Sequence, residues 1–123
     1  MLNSQKLMAF IATRDPARAK EFYGSTLGLR FVSDDGFALV FDANGTTVRI
    51  ATVRELSPAP YTVLGWEVDD IESAVKELAA AGVVFERYGI FPQDELGIWS
   101  APGGARVAWF KDPDGNTLSL SQH

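Results

Sequence analysis

The sequence predicts an α+β fold built from two similar modules, each with the element order βαβββ. First, strand and helix patterns follow in the order strand, helix, strand, strand, strand over residues 7–53, and the same order starts again at residue 62. Second, the linker Ser57-Pro58-Ala59-Pro60 separates the two runs, and proline is excluded from helix interiors and central strands. Third, helix caps and turns recur at matching places. We therefore expect module one at about residues 6–55, a linker at 56–60 and module two at about 61–122.

Module one begins with an apolar strand at residues 7–13, followed by a helix. Asp15 is a suitable N-cap and Pro16 suits the first helical position. One helical face carries four apolar residues, and Gly28 ends the helix: Ala19, Phe22, Tyr23 and Leu27. Strands at residues 29–33, 37–41 and 46–53 complete the module, with turns at Asp35-Gly36 and Asn44-Gly45 between them.

Module two repeats this order with a longer connection. A strand at residues 62–68 precedes a helix that Asp70 caps and Gly82 ends, and the spacing of Ile71, Ala74, Val75 and Leu78 predicts its buried face. Strands are expected at residues 83–88, 105–111 and 116–121, the last two joined by the turn Asp112-Pro113-Asp114-Gly115.

The register of the repeat locates an insertion at residues 89–104. Asp15 corresponds to Asp70, 55 residues later, whereas the turn at Asp42 corresponds to the turn at Asp112, 70 residues later. The extra 15 residues form either a functional loop or a short additional strand that covers a sheet edge, and both interpretations stay open. Within the insertion we expect Asp94-Glu95 to be a solvated tip and Gly103-Gly104 to form a hairpin turn.

Composition excludes several classes of site. The chain has 123 residues, 46% hydrophobic and 22% charged, as in a single globular domain. It has no cysteine, which excludes disulfides, cysteine zinc sites and iron–sulfur clusters. Its single histidine, His123, argues against a multi-histidine metal centre or a Ser-His-Asp triad.

Charge and hydropathy indicate which partners to expect. The net charge is −5 and no basic stripe occurs, so we expect no nucleic-acid partner. The longest run of apolar residues and glycine covers residues 78–85, far short of the ~20 residues of a membrane helix. The first residues also lack the pattern of a secretory signal. We therefore expect a soluble, cytoplasmic protein without a membrane partner.

Several motifs together resemble a known family. They are the repeated βαβββ order, Phe22-Tyr23 inside the first helix, Leu27-Gly28-Leu29 after it, and Asp112-Pro113-Asp114-Gly115-Asn116 before the last strand. The chain resembles the vicinal oxygen chelate superfamily, which contains glyoxalase I, extradiol dioxygenases, fosfomycin-resistance enzymes and bleomycin-resistance proteins. The resemblance covers about residues 7–121. It implies a single domain of this type over residues 1–123, with curved mixed sheets around a shared cavity, and it leads us to expect a homodimer.

The resemblance also implies where a metal would bind. Metal-dependent members hold a divalent cation with histidine and carboxylate side chains from four strands, and the matching positions here are Met8, Arg49, Val63 and Ser119. A thioether, a guanidinium, an aliphatic chain and a single hydroxyl are poor ligands for such an ion, and arginine stays positively charged. We expect no metal at these positions and no other cofactor.

Strand alternation then predicts the lining of the cavity. If the four metal positions face inward, so do Phe10, Gly65 and Glu67, while Leu7, Ala9 and Ile11 pack under the first helix and Trp66 lies in the core. The predicted ligand-binding residues are Met8, Phe10, Arg49, Val63, Gly65, Trp99, Trp109 and Ser119.

Alternatives remain open for three of these residues. Arg49 either clamps an anionic ligand group or pairs with Glu67 or lies at a solvated edge. Trp99 either stacks on a ligand, acts as a lid, or packs on its own sheet or a dimer partner, and Trp109 faces either the cavity or the core.

Three functions fit this lining, and the sequence leaves open whether the protein is an enzyme. The first is a metal-free binding protein that sequesters a small, flat or cationic molecule, resembling the bleomycin-resistance branch. The second is a glyoxalase- or dioxygenase-like enzyme that uses non-standard residues, with Glu67 as general base and Arg49 holding the substrate. The third is a protein-interaction subunit with a vestigial cavity.

Overall fold

A computed structural model describes the whole chain, Met1–His123, and divides it into two compact units, Met1–Ser57 and Pro58–His123. Each unit contains a four-stranded mixed sheet with a helical segment against one face. The α+β class and the two βαβββ modules are therefore confirmed. The shared cavity expected between the modules, and the expected module limits, stay predictions.

In the first unit, a short 3-10 helix at Leu2–Ser4 precedes the sheet. The elements are β1 (Met8–Thr13), α1 (Pro16–Glu21), a π-helix (Phe22–Thr26), β2 (Arg30–Asp34), β3 (Ala38–Ala43) and β4 (Thr46–Thr52). The strand order is β1-β4-β3-β2, with β1 parallel to β4 and the other pairs antiparallel. A bulge between Phe31 and Ser33 interrupts the pairing of the edge strand β2.

The helical segment of this unit changes type at its middle. The side chain of Asp15 accepts a hydrogen bond from the Arg18 N–H at 3.2 Å, so the predicted cap is confirmed. The α-helix predicted to reach Leu27 ends at Glu21, so this prediction is wrong for the residues that follow. Residues 22–26 form a π-helix, in which the Leu27 N–H donates to the carbonyl of Phe22. Tyr23 is fully buried in this segment and packs against Phe41.

The second unit repeats the topology. Its elements are β5 (Thr62–Glu67), α2 (Ile71–Ala80), β6 (Trp99–Ser100), β7 (Arg106–Lys111) and β8 (Thr117–Gln122), in the strand order β5-β8-β7-β6. Asp70 caps α2 through the Ser73 N–H, and Gly82 follows the helix with a φ of 100° that suits glycine. None of the helices in the structure combines the length and hydrophobicity needed to cross a lipid bilayer.

The predicted strand at residues 83–88 is wrong. This segment makes one isolated bridge, Phe85 to Phe110, and one further bond from the Glu86 N–H to the carbonyl of Trp109. It then leaves β7, because the Tyr88 N–H donates to the Gln93 side chain at 2.7 Å instead of to a strand. The edge position belongs to β6, which comes from the insertion, so the short-strand interpretation of the insertion is confirmed.

Each core lies between the sheet and its helix. The buried apolar residues of the first unit include Ile11, Tyr23, Leu39, Phe41, Val48 and Ile50, and those of the second include Ile71, Val75, Ala108, Phe110, Leu118 and Leu120. Trp66 stacks on the buried Phe110 and lies on the core side, as predicted. The prediction for Leu7 is wrong: it precedes β1 and is 77% exposed, so it does not pack under the helix.

The turn between β7 and β8 depends on a buried carboxylate. Asp112 accepts hydrogen bonds from the backbone N–H groups of Asp114 and Asn116 at 2.9 Å, and from the Asn116 side-chain amide at 2.8 Å. Both Asp112 and Asn116 are buried. Asp42, at the matching place of the first unit, forms only a long ion pair with Arg30 at 3.8 Å.

We predict that Asp112→Ala lowers the free energy of unfolding by about 2–4 kcal/mol, because it leaves buried donors without their acceptor. The matched change Asp42→Ala is expected to cost less than about 1 kcal/mol, as for other exposed ion pairs. Chemical denaturation of both variants checks this. Equal losses would show that Asp112 does not hold its turn as described.

Candidate functional site

The face of each sheet opposite its helix, termed the open face, carries most of the predicted ligand-binding residues. In the first unit, the strand register places Phe10, Arg49 and Val40 side by side across β1, β4 and β3. Met8 lies two residues from Phe10 on the same face. Phe10 is 66% exposed and Met8 46% exposed, whereas their neighbour Ile11 points to the core. The predicted alternation of β1 is therefore present from Met8 onward.

Arg49 forms an ion pair on this face. Its Nη2 lies 2.8 Å from Oδ2 of Asp35, in the loop between β2 and β3. Asp35 also accepts hydrogen bonds from the backbone N–H groups of Phe37 and Ala38, and these bonds, followed by the bond from Arg49, lower the pKa of Asp35. The partner of Arg49 is thus Asp35 and not Glu67. This pair explains Arg49 structurally, and its role as a ligand clamp stays a prediction.

The four positions that the family uses for metal do not fit a divalent cation. Met8 and Arg49 lie on the open face of the first unit, and Ser119 lies on the open face of the second; Val63 lies in β5 where its pairing with β8 is irregular. The guanidinium among them is already bonded to a carboxylate, and the others offer one thioether and one hydroxyl. No group of three or more His, Cys, Asp or Glu side chains in the structure is arranged to hold a metal ion.

The open face of the second unit has two neighbouring rows of residues. One row joins Gly65, Ser119 and Trp109 across β5, β8 and β7. The other row joins Glu67, Ser121, Val107 and Trp99 and extends to β6. A Cβ atom added to Gly65 would lie 2.7 Å from Oγ of Ser119, so glycine allows the serine hydroxyl to lie over β5.

Four aromatic residues, termed the aromatic cluster, lie beside these rows: Tyr88, Phe91, Trp99 and Trp109. The rings of Trp99 and Trp109 are stacked at 6.0 Å with an interplanar angle of 29°. Phe91 lies 5.0 Å from Trp99 and 5.4 Å from Trp109, and Tyr88 meets Trp109 edge-on at 5.5 Å. All four side chains are only half-buried, so the cluster keeps ring surface accessible to solvent.

The cluster settles part of the alternatives for the tryptophans. Trp109 lies in β7 next to Phe110, which points to the core, so Trp109 faces the opposite side. Trp99 lies in β6 and packs against Trp109 on its own sheet, which was one of the alternatives, and its stacking on a ligand stays a prediction. Sequence reasoning did not propose Tyr88 and Phe91 as site residues, although aromatic residues at both ends of an insertion were a usable signal.

Acidic side chains outnumber basic ones in the second unit. Glu67 is exposed and its carboxylate has no ion pair or hydrogen bond. Glu86 pairs with Lys111 at 3.5 Å, and burial followed by the charge of Glu86 raises the pKa of Tyr88. Residues 58–123 contain ten acidic and four basic side chains. The open face of the second unit therefore combines flat apolar rings with an uncompensated carboxylate.

Asp94 and Glu95 are exposed at the insertion tip, as expected, and the tip is also held by hydrogen bonds. Oδ1 of Asp94 accepts from the N–H groups of Leu96 and Ile98 at 2.9 Å. The predicted turn at Gly103-Gly104 is present, since the Gly104 N–H donates to the carbonyl of Ala101 at 3.0 Å.

A separate surface groove of about 470 Å³ lies on the helix side of the first unit and contains none of the predicted site residues. Its lining is Ala17, Lys20, Glu21, Gly24, Ser25, Leu29 and Phe31. The ammonium of Lys20 lies 4.2 Å above the ring of Phe31, so it already has a partner.

Comparison with known proteins agrees with this architecture. The family model of the Glyoxalase/Bleomycin resistance protein/Dioxygenase superfamily matches residues 6–120. The chain belongs to this superfamily. The resemblance inferred from the sequence motifs is therefore confirmed, and the superfamily contains proteins with unrelated activities. None of the curated protein sequences matches the chain significantly.

Solved structures of the superfamily have the same fold. A member from Sphaerobacter thermophilus DSM 20745 is 27% identical, with a TM-score of 0.78 and full coverage of both chains. Lactoylglutathione lyase from Agrobacterium tumefaciens is 17% identical, with a TM-score of 0.74 over 97% of this chain and 93% of that one. TioX from Micromonospora sp. ML1 is 20% identical, with a TM-score of 0.73 over 98% and 99%. The last two identities support the common fold and no common activity.

We predict that Asp35→Asn removes a contribution to stability that depends on pH. Since the folded state lowers the pKa of Asp35, its carboxylate stabilises the fold above the unfolded value of 3.8, and this contribution is lost as pH falls through the folded value. The difference in unfolding free energy between wild type and variant should be constant above about pH 5 and shrink below it. Denaturation from pH 2.5 to 7 measures it, and a pH-independent difference would contradict the bonding described.

Proposed function

We propose that this member of the superfamily binds a small planar organic molecule on the open face of the second unit, without a metal at the four family positions. The aromatic cluster is the observation that supports this proposal. Two stacked tryptophans with a phenylalanine and a tyrosine beside them form a ring surface on a sheet, and half-exposed rings of this kind stack on flat ligands. The function resembles sequestration by bleomycin-resistance proteins.

Charge favours a cationic ligand over an anionic one. The uncompensated carboxylate of Glu67 lies in the same row as Trp99, across β8 and β7. Strands lie about 4.8 Å apart, so a ligand of roughly 10–14 Å could contact the rings and place a positive group near this carboxylate. The tryptophan faces themselves attract cations. The acidic excess of the unit acts in the same direction, although salt screens it.

Of the other predicted ligand-binding residues, those of the second unit lie on or beside this surface, whereas Met8, Phe10 and Arg49 lie on the first unit. Ser119 lies between Gly65 and Trp109, in the row beside that of Glu67, where a hydroxyl next to a bare backbone can bond to a polar edge of the ligand. Val63 lies in β5 at the irregularity of the pairing between Thr62 and Leu64, and it is partly exposed. The enzymatic alternative, with Glu67 as base and Arg49 as anion holder, stays a prediction. The bond from Arg49 to Asp35 would have to be exchanged before Arg49 could bind a substrate.

We predict that proflavine, a flat tricyclic cation, binds with a micromolar dissociation constant measured by calorimetry. Trp109→Leu should raise that constant about fivefold to tenfold, since one aromatic stacking partner is worth roughly 1 kcal/mol. Trp66→Phe, on the core side of the same sheet, is the matched control and should leave it unchanged. Absence of binding below millimolar concentration would overturn the proposal.

A second variant separates charge from stacking. Glu67→Gln should weaken proflavine binding by a few-fold and leave the binding of acridone, a neutral tricycle of similar outline, unchanged. An equal loss for both probes would show that Glu67 does not select cations.

We further propose that the protein forms a homodimer through the open face of the first unit. The exposure of Phe10 and Met8 supports a second copy there, because large apolar side chains next to each other on one face favour association. The location in the cytoplasm stays a prediction.

Phe10→Glu should convert the dimer to a monomer, since a buried carboxylate without a partner is costly. Phe37→Glu is the control, because Phe37 is 81% exposed but lies in the loop between β2 and β3. Light scattering with size-exclusion chromatography gives the masses. A monomeric wild type, or a dimeric Phe10→Glu variant, would contradict this assembly.

A further inference from the structure

We propose that Gln93 is the positioning residue of the aromatic cluster, and that it makes the cluster a preformed wall and not a mobile lid. This inference rests on the proposed function, because the wall is the surface to which the planar ligand binds. Gln93 belongs to the segment of residues 86–98, which contains Tyr88 and Phe91 and leads directly into Trp99 of β6.

The side chain of Gln93 uses its whole amide group on the backbone of this segment. Its Oε1 accepts from the Tyr88 N–H at 2.7 Å. Its Nε2 donates to the carbonyl of Glu86 at 2.9 Å and to the carbonyl of Gly97 at 2.7 Å. Both amide hydrogens and the amide oxygen therefore have partners of good geometry.

These bonds connect the beginning of the segment to its end, next to the aromatic residues Tyr88 and Trp99. Glu86 and Tyr88 lie on the incoming side and Gly97 on the outgoing side, two residues before Trp99. The crossing is close: a Cβ on Gly97 would lie 3.3 Å from Cβ of Phe85 and 3.9 Å from Nε2 of Gln93, and its φ is 88°. Gln93 thereby connects the backbone beside Tyr88 to the backbone beside Trp99, and both of these rings contact Trp109.

Other bonds in the segment hold its tip and do not replace Gln93. Arg87 donates to the carbonyls of Asp94 and Glu95 at 2.9 and 2.6 Å. Asp94 accepts from Leu96 and Ile98 within the tip. Neither side chain binds the backbone of Tyr88 or Gly97. Removing the amide of Gln93 therefore breaks the side-chain bonds between the two ends of the segment, while the bond from the Glu86 N–H to Trp109 and the pairing of β6 with β7 remain.

A fixed segment changes how a ligand binds. When the rings already stand in their bound arrangement, binding does not have to order a loop, and the entropy lost on association is smaller. A fixed ring arrangement also selects rigid flat ligands over bulky ones, because the wall does not adapt to them. Gln93 acts on the ligand only through the rings, so it is a positioning residue without ligand contact.

The test uses Gln93→Met, which keeps the length of the side chain and removes all three hydrogen bonds. Gln5→Met, at an exposed position outside both sheets, is the matched control. In the unliganded protein, Gln93→Met should weaken the near-ultraviolet circular dichroism of the stacked tryptophans and raise amide exchange at Tyr88 at least tenfold. With proflavine as the probe, its dissociation constant should rise about fivefold. Unchanged dichroism, exchange and affinity would overturn the proposal.

The two proposals fail in different ways. If the wild type does not bind proflavine but Gln93→Met loses the dichroism and protection, the function fails and the positioning role stands. If the wild type binds and Gln93→Met binds equally well, the positioning role fails. If the variant does not fold, amide hydrogen exchange of the wild type tests the proposal. The Tyr88 N–H is then expected to exchange more slowly than the neighbouring Gly89 N–H, and equal rates would overturn the proposal.

Discussion

Each four-stranded sheet has only one helical segment, and this determines which face of the sheet is buried and which face stays open. The helix covers one face, and because strand side chains alternate, the residues between the core positions all point to the other face. Ile11, Val48 and Ile50 take the core side in the first unit, as Ala108, Phe110 and Leu118 do in the second. Residues on the open face therefore do not have to fill the core under the helix, so polar and aromatic side chains can occupy it.

The two units use their open faces differently. In the first, the central strand β4 carries Arg49, whose charge is neutralised by Asp35 from the adjoining hairpin loop. In the second, the corresponding strand β8 carries Ser119, and the insertion adds an aromatic wall beside Trp109. One topology has therefore produced a charge-compensated surface and an aromatic, acidic one. The second has the composition expected of a site for flat, positively charged molecules.

Much of the fold follows from local rules that act within a few residues. Asp15 and Asp70 cap helices and Gly82 ends one, so these features were predictable from the sequence, whereas the side of the sheet that Trp109 faces was left open. The absence of a strand at residues 83–88 was not predictable, because the apolar pattern of this segment gives no sign that the Tyr88 N–H bonds to a glutamine side chain. The same holds for Leu7, which has the pattern of a strand but lies before the first residue that pairs with β4.

The residue types at the candidate site could be read from the sequence, but the hydrogen-bond and ring partners of its side chains could not. The four family positions lack metal-binding side chains, which is a matter of residue type alone. The bond between Arg49 and Asp35, and the role of Gln93, depend on how two loops close in three dimensions, and no spacing rule predicts that. The aromatic residues of the insertion, Phe91 and Trp99, were visible in the sequence, but their contact with Trp109 required the strand register.

The most direct measurement follows the three indole N–H signals of the protein, one for each tryptophan, in a nitrogen-15 NMR titration with proflavine. The account predicts that the signals of Trp99 and Trp109 shift together and saturate, while that of Trp66 on the core side stays in place. A titration in which no indole signal moves, or in which only Trp66 responds, would contradict binding at the aromatic cluster.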